Sequence, residues 1–237
     1  MHAMTRVGLV MGLCLGLAAC PRPVKPPAPT PTVPATPAPP EPSPVSGATV
    51  YQIDAAASEL HVLVYRGGTF ARLGHNHVMS SRSVTGKVWM QPQFSASGFE
   101  LSFPVADLIV DDVEARRAAG SDFPPEIPAG DKEGTRKNML RAEVLDAEHY
   151  PRVTVKSAKV AGSLQAPQVT AVITIKQTSR EVAVPVAIVT SGGKLSASGE
   201  FEILQTDFGI KPFSVALGAL EVKDRLLVRF KLVALKR

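Results

Sequence analysis

From residue 50 onward, polar and apolar side chains exchange places at every second position. Leu195, Ala197, Gly199, Phe201 and Ile203 alternate with Ser196, Ser198, Glu200 and Glu202, and Leu226, Val228, Phe230, Leu232 and Ala234 alternate with Arg225, Leu227, Arg229, Lys231 and Val233. A period of two is that of a strand with one face turned to a core. Similar runs at 58–65, about 77–91, 97–105, 152–161, 168–176 and 181–190, after a short opening strand at 50–54, predict eight or nine strands. Gly162-Ser163 with Pro167, Gln177-Thr178-Ser179 and Ser191-Gly192-Gly193 punctuate them as turns. Short connections make neighbouring strands antiparallel, and a closed barrel or a sandwich follows, closure having the advantage of removing exposed edges. Pro185 places an edge, a bulge or a non-bonding position within the 181–190 run.

Residues 106–151 break this rhythm. Asp111-Asp112-Val113-Glu114-Ala115-Arg116-Arg117-Ala118-Ala119-Gly120 has acids first, bases late and glycine at the stop, as a short helix and its dipole prefer. Pro124 to Gly130 is too proline-dense for either element, and a second helix is expected across Thr135–Leu145, with Leu140 and Val144 on one face. An insertion of this size cannot sit inside a small barrel, so it should cover an end.

The N-terminal region has another character. Residues 1–20, MHAMTRVGLVMGLCLGLAAC, run from Arg6 through an apolar stretch to small residues and Cys20, the order of a secretory signal. The apolar run, about 13 residues, is short of the ~20 that cross a bilayer. Leu17-Ala18-Ala19-Cys20 resembles the bacterial lipobox, which implies diacylglycerol attachment at Cys20, cleavage before it and acylation of the new amine. Proline at position 21, where aspartate is absent, resembles lipoproteins forwarded to the outer membrane. Twelve of the 21 prolines then fall within residues 21–44, which predicts a solvated polyproline-type spacer. The expected organisation is a signal at 1–19, a lipidated cysteine and proline-rich disordered tether at 20–48, and one folded domain at 49–237.

This division changes what composition means. Of the two cysteines, Cys14 leaves with the signal and Cys20 carries lipid, so the folded part has neither disulfide nor thiol. Arg6, Arg22 and Lys25 against Glu41 precede residue 49, which leaves 23 bases and 20 acids, a net +3, on the domain. With no Lys/Arg stripe interleaved with aromatics, nothing argues for a nucleic-acid partner.

Candidate chemistry is sparse. In Gly74-His75-Asn76-His77, positions i and i+2 of an extended chain share a face, so His75 and His77 could present two imidazoles to a metal. Two ligands are not a site; His61, His149 and Asp207 are the candidates for a third, and polar ligand contact or structural hydrogen bonding are the alternatives. Arg136 and Arg141 could meet an anionic headgroup or form the solvated face of an amphipathic helix. Asp207-Phe208-Gly209-Ile210 reads as a strand-end turn with a buried Phe. No hydrolase elbow, phosphate loop, dinucleotide fingerprint or zinc-protease helix occurs, so no enzyme activity and no cofactor are expected.

The order Tyr51-Gln52-Ile53-Asp54, Ser58, a histidine after the next strand, Ser83-Val84-Thr85-Gly86, Tyr150-Pro151 leading into Val153-Thr154-Val155-Lys156-Ser157, and Gln205-Thr206-Asp207-Phe208-Gly209-Ile210 resembles the YceI-like domain over about residues 50–236. The resemblance implies an all-β, lipocalin-like, eight-stranded antiparallel barrel with a short helical covering insertion. It also implies an elongated apolar cavity for an isoprenoid lipid such as a polyprenyl chain or quinone, in a protein of the bacterial cell envelope facing the periplasm. The covering segment departs from the family, reading Arg136-Lys137-Asn138-Met139-Leu140 without the usual acid; Lys176-Gln177 replaces a His-Gly, and a second histidine lies at 75–77. On this reading Phe201, Ile203, Phe208, Val228 and Phe230 line the tunnel, and His75, His77, Arg136 and Asn138 stand near its polar end. The rivals are a metal-binding protein or metalloenzyme organised by His75 and His77, and an interaction scaffold whose barrel is packed solid.

Overall fold

The computed structural model describes residues 47–237, so the expected signal, Cys20 and nearly all of the expected tether lie outside the described residues. Among the described residues thirteen strands form one antiparallel sheet. They are β1 (Thr49–Ile53), β2 (Glu59–Gly67), β3 (His77–Ser81), β4 (Thr85–Met90), β5 (Gly98–Pro104), β6 (Ile109–Val110), β7 (Arg152–Gly162), β8 (Pro167–Ile175), β9 (Thr178–Val184), β10 (Ala187–Ser191), β11 (Lys194–Leu204), β12 (Ser214–Val215) and β13 (Leu220–Lys236).

Thirteen is more than the eight or nine that the alternation predicts, because several of the expected strands are broken. β1/β2, β3/β4, β5/β6 and β9/β10 are each one bent strand, and β12 is a two-residue addition pairing with β13. The bent β1/β2 pairs with β13 on one side and with β4 and β3 on the other. From there the ladder runs through β5 and β6 to β7, β8 and β9, and from β10 through β11 back to β13. Only Pro185 and Val186 separate β9 from β10, and this continuity of the chain carries the ring of neighbours round into an antiparallel barrel.

Local chemistry explains the bends. Between β1 and β2, Asp54 accepts from the N–H groups of Ala56 and Ala57, while Ser58 Oγ donates to Asp54 O (2.7 Å) and accepts from Val233 N–H (3.0 Å). Both side chains satisfy backbone groups that the interrupted ladder leaves behind. At Pro185 the missing N–H removes a ladder bond. Its carbonyl oxygen would stand 2.1 Å from a Cβ on Gly199, so that inward position admits only glycine. The β10–β11 hairpin turns at Gly192 and Gly193, with φ of +57° and +78°, the sign tight antiparallel turns require.

Helix α1 (Val113–Ala119) has Asp112 as its N-cap, accepting from Ala115 N–H at 3.0 Å, and stops at Gly120 with φ +105°. Helix α2 spans Ala129–Leu140 and not the expected 135–145. Pro128 sits at the N-cap, where its lost donor costs nothing, so a segment that looked too rich in proline supplies the first turn. The chain leaves the helix at Arg141, and the N–H groups of Leu145 and Ala147 cap the carbonyls of Met139 and Leu140, both at 3.1 Å. Leu140 and Val144 nevertheless pack on the same core. Most buried side chains belong to the barrel interior, and a satellite cluster of Leu63, Val78, Ala115 and Phe123 lies between β2, β3 and α1.

Candidate functional site: an apolar barrel cavity

The inward faces do not fill the barrel. They leave a cavity of about 390 Å³, within the ~300–1,000 Å³ range of small-molecule pockets and too large for an interior packed solid. Its wall is made by the residues whose alternation was legible, including Leu195, Ala197, Phe201 and Ile203 from β11 and Leu226, Val228, Phe230, Leu232 and Ala234 from β13. Val153, Val155, Ala171, Ile173 and Ile188 continue it round the ring, and the insertion adds Thr135, Asn138, Met139, Val144 and Leu145. The helical insertion therefore closes part of the cavity, as a covering element would.

Among the proposed tunnel residues, Phe201, Ile203, Val228 and Phe230 line the cavity; the rings of Phe201 and Phe230 meet edge to face, 6.2 Å apart. Phe208 does not line it. It is 2% exposed and belongs to the surrounding core, because it sits in the turn after β11, where the period-two register has ended. Among small inward residues, Ala171 and Ala197 border open volume, whereas the room at Gly199 is taken by Pro185 O and the Phe230 ring.

Polar side chains on the wall are few. Ser97 accepts from Gln91 N–H at 2.9 Å and Gln205 donates to Lys223 O at 2.9 Å, so both have protein partners. The others are Thr135 and Asn138 on α2, and His77 at the start of β3. His75 and Arg136 are not part of the wall. Arg136 donates to the carbonyls of Leu108 (2.7 Å) and Ala106, strapping α2 to the β5–β6 bend. His75 is half-buried and pairs with Asp131 Oδ2 through Nε2 at 3.1 Å.

The Gly74-His75-Asn76-His77 segment has a defined partner at each residue. Gly74 O accepts from Arg66, Asn76 accepts from Arg66 N–H (3.0 Å) and donates to Asp122 O (3.0 Å), and His77 Nδ1 meets Asp111 Oδ2 at 2.7 Å. The rings of His75 and His77 are 6.1 Å apart and nearly perpendicular, each turned to a different carboxylate. Of the suggested third ligands, His149 pairs with Asp146, Asp207 is exposed in a turn, and His61 borders a separate cleft of about 190 Å³ with Glu59, Arg82, Asp112 and Glu114. Among the described residues no three His, Cys, Asp or Glu side chains are grouped to hold a metal.

Two residues of this site were not singled out in the sequence. Asp111 and Arg116 are both 0% exposed and form an ion pair, with the Asp111 carboxylate also accepting from Val78 N–H at 2.9 Å and Arg116 donating to Asn76 O at 2.7 Å. Burial alone would raise the Asp111 pKa, but hydrogen bonds from His77 and Val78 N–H, the charge of His77 and the hydrogen bond from Arg116 outweigh it and hold the carboxylate below its ordinary range. In the sequence Asp111 looked like a helix start and Arg116 like its neighbour Arg117, which is exposed and pairs with Glu114. Adjacent identical residues carry no signal that separates a buried one from a solvated one.

Among the described residues no helix is long and apolar enough to cross a membrane. No curated protein matches the chain in sequence. Among solved structures it is similar to Burkholderia cenocepacia BcnA, with 18% identity and a TM-score of 0.55 over 77% of this chain and 99% of that one. It is also similar to a polyisoprenoid binding domain from Saccharophagus degradans, with 14% identity and a TM-score of 0.52 over 80% of this chain and 99% of that one. Likeness at such identity speaks for the fold. The YceI-like domain matches residues 51–234, most of the sequence and all but the edges of the barrel, and by that match the chain belongs to the YceI-like domain family.

Proposed function

We propose that this protein is a non-catalytic binding protein for a hydrophobic, isoprenoid-type ligand, a polyprenyl chain or quinone, held at the bacterial cell envelope by an acylated Cys20 and facing the periplasm from the outer membrane. The observation that carries the reading is the cavity itself: about 390 Å³ walled almost wholly by aliphatic and aromatic side chains. Burying a methylene there stabilises the complex by ~0.8 kcal/mol, so a long chain supplies affinity and the few polar side chains supply selectivity. The solved neighbour from Saccharophagus degradans, described as a polyisoprenoid binding domain, supports this choice of ligand class. Envelope location rests on the Leu17-Ala18-Ala19-Cys20 motif and on Pro21. Several acyl chains on one cysteine anchor firmly where a single chain binds marginally. The proline-rich residues between Cys20 and the barrel act as the tether.

Two experiments test the two halves. Full-length protein stripped of lipid in detergent, offered a long-chain quinone or a polyprenol, should retain one equivalent through gel filtration; retention of neither overturns the ligand assignment. The mass of the N-terminal peptide should show loss of residues 1–19 and acyl additions on Cys20, and an unmodified Cys20 thiol overturns the anchor.

A further inference from the structure

The cavity wall contains one group whose hydrogen-bonding sense is set from behind. Asp111 stands just past β6 in a left-handed conformation, φ +55°, and its carboxylate meets β3. There Oδ1 accepts from Val78 N–H and Arg116, and Oδ2 faces His77 Nδ1 at 2.7 Å. Lys132 of α2 donates to the Asp111 carbonyl at 2.7 Å. An ionised carboxylate only accepts, so the proton of this contact resides on Nδ1. In the neutral ring that tautomer leaves the lone pair on Nε2. His77 is 16% exposed in its side chain, its ring lies in the cavity wall, and Nε2 has no hydrogen-bond partner among the described residues.

We propose that the Asp111–Arg116 pair fixes His77 as a hydrogen-bond acceptor in the cavity wall, and that His77 thereby selects apolar chains ending in a hydroxyl, a prenyl alcohol or a hydroquinone, over the matching ester, oxidised quinone or hydrocarbon. The proposal rests on the reading that the cavity holds an apolar chain. A hydroxyl donates to Nε2, whereas an ester or quinone oxygen only accepts and leaves Nε2 desolvated and unpaired. His77 is the contact; Asp111 and Arg116 are positioning residues.

The test uses full-length, lipid-stripped protein at about pH 8, above the ordinary histidine range, and three probes of equal chain length: a prenyl alcohol, its acetate and the parent hydrocarbon. The alcohol should bind about five- to tenfold more tightly than the acetate, the effect of one net hydrogen bond. His77→Phe should abolish that preference, so that the alcohol and the acetate bind with equal affinity. Asp111→Asn, whose amide can donate to Nδ1 and move the ring proton to Nε2, should shift the preference toward the acetate, which a merely structural role would not do. Equal binding of all three probes by the native protein overturns this inference and leaves the apolar cavity standing. Retention of the alcohol preference in His77→Phe also overturns it, and failure of every probe to bind overturns both readings. His77 is not a member of the Asp111–Arg116 ion pair, so His77→Phe remains informative even where Asp111→Asn does not fold.

Discussion

His77 and Asp111 are 34 residues apart in the chain, and Nδ1 of one lies 2.7 Å from Oδ2 of the other. The contact crosses the β3–β6 pairing, in which Met79 opposes Val110, and it joins the inward face of the barrel to an ion pair on the outer side. The wall of an apolar cavity and a buried charge cluster thus meet at one side chain.

That ion pair should dominate local stability. Arg116→Met removes the counter-charge and leaves an ionised carboxylate buried, a change that typically costs about 3–5 kcal/mol. Urea unfolding should show a loss of that size, while Arg117→Met, one position along and exposed, should change stability by less than about 0.5 kcal/mol. Equal effects at the two positions would contradict the assignment.

Acid should act in two windows. The folded pKa of Asp111 is depressed, so its contribution is complete above about pH 4 and is lost as pH falls through the folded value. Burial lowers the His61 pKa, with Glu59 and Asp112 opposing it in part, so the unfolded chain binds the proton more readily and stability falls as pH drops below about 6.5. His61→Gln should flatten the stability profile in the upper window only, and Asp111→Asn in the lower only. Unfolding free energies measured across pH 3–8 check both signs.

Glycines should divide by their surroundings. Gly199→Ala places a methyl 2.1 Å from Pro185 O and 2.9 Å from the Phe230 ring, at the point where β9 passes into β10, and should cost at least about 1–3 kcal/mol. Gly134→Ala, inside α2 with nothing within 4 Å of the added methyl, should stabilise by about 0.5–1 kcal/mol. Opposite shifts in melting temperature are the expected result.

The uneven legibility of the chain has a physical basis. Strand faces could be read because β11 and β13 repeat one contrast over ten residues, and burial of one face enforces it. The bend at Asp54 and Ser58 could not, because it depends on side-chain caps to single backbone groups, whereas Pro185 marked the break between β9 and β10 in the sequence. Helix α2 was placed too late because prolines read as breakers when Pro128 is in fact a start. His77 and Asn138 were legible as polar residues near apolar strands. Asp111 and Arg116 were not, since their meaning lies in a contact between segments. Arg136 and Phe208 were given to the cavity on the reading that follows the family resemblance, and the structure uses one as a strap and the other as the buried Phe of a strand-end turn.

Filling the cavity should separate binding from folding. Ala197 lies on the wall and is half-buried, so Ala197→Phe projects a ring into open volume and should leave the melting temperature within a few degrees of the native value. Uptake of a polyprenol or quinone should fall at least tenfold. Ser198→Phe, on the exposed face of the same strand, should leave uptake unchanged.

The most direct measurement is native mass spectrometry of the full-length protein purified gently from the membranes in which it matures. A single apolar lipid bound to the barrel, beyond the covalent acyl mass at the N-terminus and absent from Ala197→Phe, is the predicted result. Barrels that emerge empty in repeated preparations, and that take up neither polyprenol nor quinone when offered them, would contradict the account.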